Sequence, residues 1–415
     1  MGRGALASAA AVLLAVALAP VASAAWLSAE TISPVAQSAS YPAVATGAAG
    51  DAVASWSADT DGLQVSDRPA GGPWTAPTAL STAGAQVSSR QVVIDASGTI
   101  TAVWGEYTED TSDPMNPMMG PTTIFTARRQ PPAARRPTGA NWSTPQQLST
   151  TNVDAGSAGL AVGSGGRVAA VWVETGALRS ATRTAAGAWR AADTVAPSGA
   201  SNAVPLVAVD ADGTVTAAWQ SDTDSVRSAT QADGGPWSTP VDVSTGFSVL
   251  PALGMDANGD ATLVWLGVVA GTQKIFSARR AAATGPWSAP TQISVTTGTS
   301  LYTPVVAVDT EGRATAAWAQ FMTVGTVRYD QNVATRAADG TWGTPVALGV
   351  GSSDPPSVSA RSAGDVTVAW RGIVGGCCVV QSSSHAPAAT GRPRQSSRVW
   401  ATATPPSAST TRATP

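Results

Sequence analysis

One short pattern occurs seven times along the sequence and constrains the fold more than any other feature. Each copy has an apolar run, a four-residue turn and a second apolar run that ends in Trp, as in VAVDADGTVTAAW (Val207–Trp219). Asp210 begins this turn and Gly213 ends it, which is typical of a type I turn, and Gly tolerates the positive φ that folds the chain back. The Trp follows the turn Gly by six positions in every copy. Such repetition indicates a repeat protein.

Two further strand patterns lie between successive hairpins. One has the form [ST]-A-x-R, as in Ser277–Arg279, and the other has the form W-[ST]-x-P-x-x-[LIV]-S, as in WSAPTQIS from Trp287. Each repeat therefore has four strands in roughly 50 residues. Apolar and polar residues alternate in these segments, which are rich in Val, Thr and Trp and are broken by Gly and Pro; this argues against a helical solenoid. A parallel β-solenoid is a weaker alternative, because its coils are shorter than this repeat. We predict an all-β fold, a seven-bladed β-propeller with four antiparallel strands per blade.

The two ends of the array predict how the ring closes. The chain enters on a W-S-x-P-type strand, Trp26–Ser33, and leaves the seventh hairpin on an S-A-x-R-type strand that ends near His385. The seventh blade thus lacks a fourth strand, and we expect Trp26–Ser33 to complete it, because closure removes exposed strand edges. The predicted propeller spans residues 25–385. Residues 386–415, which are rich in Pro, Thr, Ser and Ala, are expected to form a disordered tail.

The first 24 residues predict export. Arg3 gives a basic start, Ala5–Ala19 is apolar, and Ala22-Ser23-Ala24 is a small-residue cleavage site of a signal peptide. The apolar run is too short and wrongly flanked for a membrane span, and no later apolar run has spanning length. We therefore expect a secreted, extracellular chain without stable membrane insertion.

Charge and residue types exclude several classes of function. The chain has 24 basic and 27 acidic residues, so it lacks the basic excess of a nucleic-acid-binding protein. His385 is the only His and no G-x-S-x-G occurs, so a Ser-His-Asp or zinc site has no basis. The acidic turns Asp59–Gly62 and Asp222–Asp224 offer oxygen ligands for calcium, but the full calcium-binding loop is absent. We favour plain turn chemistry there and expect no cofactor and no metal.

The hairpin Trp residues predict structure rather than binding. A large indole at the same point of every blade is expected to lie between neighbouring blades, where it buries a large apolar area. These structural residues are Trp56, Trp104, Trp172, Trp219, Trp265, Trp318 and Trp370.

Candidate ligand-binding residues lie on one face of the predicted ring. In a propeller the loops from the fourth strand to the next blade, and from the second strand to the third, emerge together; we call this the loop face. The longest insertion, Gly105–Thr123, belongs to it, and long loops on a rigid scaffold concentrate binding groups. Aromatic, acidic and Arg side chains suit hydroxyl-rich ligands. The candidate residues are Glu106, Tyr107, Asp110, Asp113, Tyr302, Arg328 and Tyr329.

The repeat W-S-x-P-x-x-L-S…P-x-V-A-V-D-A-x-G-x-x-x-A-x-W resembles that of secreted sialidase-like β-propeller proteins from Trp26 to about His385. The Asp-box repeat of sialidases, S-x-D-x-G-x-x-W, is matched loosely, because here the Trp comes later. The resemblance implies a propeller and, in its enzymatic members, an arginine triad, a Tyr–Glu nucleophile pair and an acidic acid/base. No motif places these groups in this sequence. Tyr329 beside Arg328, with Glu106 or Asp110, is the nearest set of residue types.

Three functions follow from these features. The favoured hypothesis is an exported, monomeric, non-catalytic binding module that recognises a carbohydrate or a protein on the loop face. The alternative is a sialidase-like glycoside hydrolase with paired carboxylates near the channel. A second alternative is a structural repeat protein of the cell surface.

Overall fold

A computed structural model of the chain describes residues 30–34, 38–58, 62–110, 118–130, 142–184, 187–201, 203–295, 300–322, 328–361, 364–374, 377–385 and 396–399. Within these ranges the regular elements are all β-strands, and paired strands run antiparallel. The predicted all-β class is therefore confirmed. The predicted signal peptide, residues 1–24, lies outside the described residues. In the described part of the chain, no helix is long and apolar enough to cross a membrane.

Five sheets have four strands each. The first contains β1 (Ala39–Thr46), β2 (Ala52–Ala58), β3 (Gly62–Arg68) and β4 (Thr78–Ala79). The second contains β5 (Gln86–Ile94), β6 (Ile100–Tyr107), β9 (Thr123–Arg129) and β10 (Gln146–Gln147), with a small hairpin of β7 (Glu109–Asp110) and β8 (Met118–Met119) inserted after β6. The third contains β11 (Ala155–Val162), β12 (Val168–Glu174), β13 (Ala177–Arg183) and β14 (Asp193–Ala196).

The fourth and fifth sheets repeat this order. The fourth contains β15 (Leu206–Val209), β16 (Val215–Gln220), β17 (Val226–Gln231) and β18 (Val241–Asp242). The fifth contains β19 (Ser248–Met255), β20 (Ala261–Val269), β21 (Thr272–Arg280) and β22 (Thr291–Gln292). The predicted unit of four antiparallel strands is thus confirmed for these sheets.

The last sheet has eight strands and joins two such units. Its first unit contains β23 (Val305–Val308), β24 (Ala314–Met322), β25 (Arg328–Arg336) and β26 (Val346–Gly351). Its second unit contains β27 (Ser357–Ala360), β28 (Val366–Val374), β29 (Cys377–His385) and β30 (Ser396–Val399). The two units are linked by pairing of β26 with β28 at Gly351 and Gly372.

β30 lies within residues 386–415, the segment expected to be a disordered tail, and it pairs with β29 in the place of a fourth strand. The other residues of this segment lie outside the described residues, so the disordered tail as a whole stays a prediction. An unpaired strand edge offers backbone groups to any extended segment nearby, which accounts for this pairing. Of the predicted closing strand Trp26–Ser33, residues 26–29 lie outside the described residues and residues 30–33 form no strand. Closure of the ring by this strand therefore stays a prediction.

The sheets stand side by side in chain order. The first strand of each unit lies against the first strand of the next, in the series β1, β5, β11, β15, β19, β23 and β27. The second, third and fourth strands follow outward from it in each unit. This is the arrangement of strands in a β-propeller.

The turns between first and second strands are held by their own Asp side chains. The Oδ1 atom of Asp210 accepts a hydrogen bond from the Thr214 amide at 2.7 Å, and that of Asp256 accepts one from the Asp260 amide at 2.8 Å. Gly213 has a φ of +83°, which L side chains rarely adopt. The D-A-x-G pattern therefore encodes a tight turn, and we call the side that carries these turns the tight-turn face.

The hairpin Trp residues lie between adjacent sheets. Trp219 of the fourth sheet is fully buried and belongs to a core cluster with Val171, Leu178 and Val195 of the third. Trp318 likewise packs with Ile275 of the fifth sheet. The seven hairpin Trp are between 0% and 5% exposed, so the core is a series of contacts between sheets.

Replacing Trp219 with Ala is expected to lower the free energy of unfolding by about 3–5 kcal/mol, because the change removes a fully buried indole and leaves a cavity. Urea-induced unfolding followed by circular dichroism measures this loss. Val204→Ala, at a 70% exposed site, is the control and should change stability by less than about 0.5 kcal/mol. Equal effects of the two substitutions would contradict the assigned packing.

Candidate functional site

Three aromatic side chains meet on the loop face of the sixth unit. Phe321 of β24 and Tyr329 of β25 are directly paired across the strands, with ring centroids 5.3 Å apart. Tyr302, which precedes β23, meets Tyr329 edge to face at 5.4 Å. The backbone amide of Tyr302 donates to the carbonyl of Ala319 at 3.0 Å and holds this segment against β24. We call Tyr302, Phe321 and Tyr329 the aromatic cluster.

An exposed ion pair lies on the same strand, on the opposite face of the sheet from Tyr329. Arg328 donates from Nε to Oδ1 of Asp330 at 2.8 Å and from Nη2 to Oδ2 at 3.1 Å, a two-bond arrangement that fixes both side chains. Successive side chains of a strand point to opposite faces, so Arg328 and Asp330 share a face that Tyr329 does not. Hydrogen bonding to Asp330 raises the pKa of Arg328 above its ordinary value. Burial and a hydrogen bond with Tyr329 raise the pKa of Tyr302, so its hydroxyl stays protonated at neutral pH. The aromatic cluster thus combines aromatic faces with two phenol hydroxyl groups.

The structure therefore brings together two of the residues predicted from the sequence, Tyr302 and Tyr329. Phe321 joins them and was not among the predicted site residues, whereas Arg328 points to the opposite face of β25. The signal for Phe321 is the register of β24 and β25, since its pairing with Tyr329 follows from the length of the β24–β25 hairpin. A pair of aromatic residues across two strands is a recurrent stabilising contact in sheets.

Glu106 lies inside the fold rather than on the loop face. It is 7% exposed, and its Oε1 atom accepts hydrogen bonds from the Trp104 indole at 2.6 Å and from the Thr82 amide at 3.1 Å. Residues two apart on a strand share a face, so W-x-E places the carboxylate beside the indole nitrogen. Glu174 has the same relation to Trp172. The structure gives Glu106 a role in the packing between strands.

The remaining predicted site residues are separate from the aromatic cluster. Tyr107 is the half-buried last residue of β6 and pairs with Gln86 of β5. Asp110 lies in the small hairpin of β7 and β8, opposite Met118, and its side chain is outside the described structure. Asp113 also lies outside the described residues.

A second aromatic group on the inner strands combines Tyr41 and Arg90. Tyr41 is 75% exposed and sits at a register shift in β1, where its φ is +51°. The Arg90 guanidinium lies 4.7 Å from the Tyr41 ring centroid, and its Nε donates to the Tyr41 carbonyl at 3.1 Å. A non-Gly residue in this conformation carries strain that the surrounding contacts must offset. The sequence alone does not show this pair, since 49 residues separate its members.

The acidic turn considered for calcium is occupied by internal hydrogen bonds. Asp222 accepts from the Ser201 hydroxyl at 2.9 Å, and Asp224 accepts from the Gln220 amide at 2.9 Å. Within the described residues, no three His, Cys, Asp or Glu side chains are grouped as metal ligands would be. Residues 59–61 of the other acidic turn lie outside the described residues.

No protein-family model and no curated protein sequence matches this chain. Several solved structures are similar in fold. The BP39L lectin from Burkholderia pseudomallei is 16% identical, with a TM-score of 0.48 over 81% of this chain and 96% of the lectin. The leech intramolecular trans-sialidase is 10% identical, with a TM-score of 0.43 over 71% of this chain and 67% of that one. An α-L-arabinanase of Penicillium chrysogenum is 13% identical, with a TM-score of 0.41 over 83% of this chain and 92% of the arabinanase. Likenesses at this level carry no argument about function.

The Glu174 carboxylate is expected to make stability depend on pH. Burial alone raises its pKa, but hydrogen bonds from Thr150 and Trp172 and the charge on Arg179 outweigh burial and hold the pKa below its ordinary value. Its contribution is therefore present above the ordinary pKa of Glu and is lost as the pH falls through the folded-state value.

Glu174→Gln should lower the free energy of unfolding at pH 7 by about 1–3 kcal/mol, because one carboxylate oxygen is replaced by a donor. The difference between wild type and variant should shrink at pH 3. Denaturant unfolding at both pH values measures it. A difference that does not change with pH would contradict the assigned role of the carboxylate.

Proposed function

We propose that this chain is an exported, monomeric, seven-bladed β-propeller that binds carbohydrate on its loop face without catalysing a reaction. The aromatic cluster of Tyr302, Phe321 and Tyr329 carries this proposal. Sugar rings present apolar C–H faces that pack on aromatic rings, and their hydroxyls take part in hydrogen bonds with charged groups. The cluster supplies the aromatic faces and the hydroxyls of Tyr302 and Tyr329, and the charged Arg328–Asp330 pair lies on the opposite face of the same hairpin.

The hairpin makes the site well suited to binding. β24 and β25 remain paired over nine residues up to the loop face. The first pair is Ala314 with Arg336, and the last is Met322 with Arg328. Side chains on paired strands lose less conformational entropy on binding than side chains in a mobile loop. This supports the aromatic cluster as the principal contact with a ligand.

The non-catalytic form of the proposal is supported by the engagement of the nearby carboxylates. Glycoside hydrolysis with two carboxylates needs one that can donate a proton and another on the opposite side of the bond. Asp330, on the opposite face of β25 from Tyr329, is bound by Arg328 through two hydrogen bonds, and Glu106 is used within the fold. The binding test below therefore also distinguishes the two alternatives, a sialidase-like hydrolase and a module that binds a protein ligand.

The closed ring in this proposal is supported by the packing of Ile32. In the complete units, the apolar residue of the W-S-x-P strand packs on the hairpin Trp of the next unit, as Ile293 does with Trp318. Ile32 has the same relation to Trp56 of the first sheet, together with Ala54 and Ala58. The segment that contains Ile32 thus stands in the place of the fourth strand of a blade preceding the first. In a closed ring that blade is the seventh, so closure requires this segment to take the edge of β29 on which β30 lies in the structure.

Ile32→Asp is expected to destabilise the ring, because a charge would be placed against the buried Trp56. The midpoint of thermal unfolding should fall by several degrees, and the matched change in the fifth sheet, Ile293→Asp, should lower it at least as much. Replacement of Ser33 with Asp, one position along, is the control and should have little effect. An unchanged midpoint in Ile32→Asp would contradict closure by this segment.

Tyr329→Ala should weaken glycan binding about tenfold, since loss of one aromatic contact costs roughly 1 kcal/mol or more. A glycan array identifies the bound sugar, and isothermal titration calorimetry measures its affinity for wild type and variants. Tyr329→Phe keeps the ring and should retain most of the affinity.

A matched pair of Phe substitutions separates the site from the rest of the surface. Phe321→Ala should weaken the same sugar, whereas Phe247→Ala, at an exposed aromatic residue outside the cluster, should not. Absence of any glycan ligand, or full affinity in Tyr329→Ala, would overturn the proposal. Release of product from the bound glycan would overturn its non-catalytic form in favour of a hydrolase.

A further inference from the structure

The first five boundaries between units have the same apolar contacts. The hairpin Trp of the later unit packs on one apolar residue from the third strand and one from the fourth strand of the earlier unit. Trp318 makes these contacts with Ile275 and Ile293. Because the contributing positions are fixed by strand register, the residues that belong to a boundary can be identified even where one of the two units does not cover them.

The seventh unit carries such a residue without a cover. The third-strand position that faces the next unit is the one paired with the residue directly after the hairpin Trp. In the seventh unit this residue is Val380, opposite Arg371, and it is 70% exposed. Its equivalents in the first six units are at most 1% exposed, and they are Leu63, Ile124, Leu178, Val226, Ile275 and Gln331.

The first unit carries the complementary feature. Val44 of β1 pairs with Ala54, two positions before Trp56, and is 68% exposed. In the other six units the equivalent residue packs in the core that joins its unit to the preceding one, and it is buried or half-buried. These residues are Val92, Leu160, Val207, Leu253, Val306 and Val358. Val44 and Val380 are therefore two members of one boundary that are not yet in contact.

The edge of β29 shows the same boundary from the side of the fourth strand. In each of the first six units, the third-strand residue paired with the position before the hairpin Trp also pairs with a fourth-strand residue, which follows the Trp of the W-S-x-P pattern by four positions. One example is Val333 with Val346, four residues after Trp342. In the seventh unit the third-strand residue is Ser382, and the residue four positions after Trp26 is Glu30. Ser382 pairs instead with Arg398 of β30.

We infer that the side of the seventh unit formed by Val380 and the edge of β29 is the docking surface for the first unit of the same chain, and that β30 holds part of this surface until the first unit docks. This inference rests on the closed ring of the proposed function and adds an exchange of segments to it. Residues 30–32 replace β30 on β29, and Val380 then joins Ile32 against Trp56.

Burial of apolar area favours the exchange. β30 gives β29 four backbone pairs but leaves Val380 exposed, whereas docking of the first unit covers both Val380 and Val44. Pairing with a second copy would leave one open side at each end of any series of copies, and closure within one chain leaves none. Before closure, β30 covers a strand edge that would otherwise pair with other chains.

A disulfide between Glu30→Cys and Ser382→Cys detects the docked form. The substitutions are made in the full chain with Cys377→Ser/Cys378→Ser, so that no other thiol competes. Residues paired directly across two strands are close enough for a disulfide, which forms with oxidised glutathione as the oxidant. Non-reducing electrophoresis and mass spectrometry measure its yield. Val333→Cys/Val346→Cys, the equivalent pair of the sixth unit, is the positive control for a folded chain.

Ser397→Pro/Arg398→Pro should raise the yield of the 30–382 disulfide at least threefold. Successive amides of a strand point in opposite directions, so one of the two Pro residues removes a donor that faces β29. Thr410→Pro/Thr411→Pro, also near the end of the chain, is the matched control and should leave the yield unchanged.

Val380→Asp, added to the Ser397→Pro/Arg398→Pro chain, should lower the yield at least threefold, because docking would bury a charge. Val204→Asp, at another 70% exposed valine, should not. Absence of the 30–382 disulfide beside full yield of the control pair, a yield that Ser397→Pro/Arg398→Pro does not change, or a disulfide found only between two chains would overturn the inference.

Sugar binding, measured on the same chains by calorimetry, keeps the two proposals apart. The aromatic cluster lies in the sixth unit, away from the edge of β29. Full sugar affinity in a chain that shows no exchange would overturn the docking of the first unit alone. A chain that exchanges the two segments but binds no glycan would overturn the loop-face site alone.

Discussion

The burial of one Trp per repeat between two adjacent sheets is the contact on which the rest of the structure depends. A four-stranded sheet of this size cannot bury both of its faces alone, and each unit from the second to the seventh uses its hairpin indole to cover the side of its predecessor. Trp219 shows the arrangement, since it joins the core of the third sheet. Because the contact is the same at each boundary, the sheets follow one another in chain order, and the loops collect on one face and the tight turns on the other.

Function then belongs to the places where a unit departs from the repeat. The sixth unit departs from the repeat at two places. On the loop face its longer hairpin carries Phe321 and Tyr329 beside Tyr302. Within its buried boundary with the fifth unit it lacks the Arg–Thr bond that Arg183 makes with Thr101 and Arg280 with Thr216. A repeat protein can support such changes because each unit contacts only its neighbours, so a local change does not disturb the whole array.

Much of the fold was predictable because its signals are local. The Asp and Gly of each tight turn, the alternation of the strands and the position of the Trp all act within about a dozen residues. The site was predictable in part. Tyr is a rare residue type, with four in the chain, and the structure brings two of them, Tyr302 and Tyr329, together. Glu106 is also a polar residue next to a loop, but its partners Trp104 and Thr82 take it into the fold. The role of Glu106 thus depends on which residues the packing of the strands places beside its carboxylate.

By itself, the sequence determined the strands, the tight turns, the four-stranded unit and the residue that each unit buries, because these depend on spacing along the chain. Only the tertiary structure decided which side chains meet across a boundary. It paired Arg280 with Thr216 but left Arg336 without its equivalent Thr262, although both pairs look the same in sequence. It also placed β30 on the open edge of β29. These outcomes depend on distances between residues far apart in the chain, which only the packing of the sheets sets.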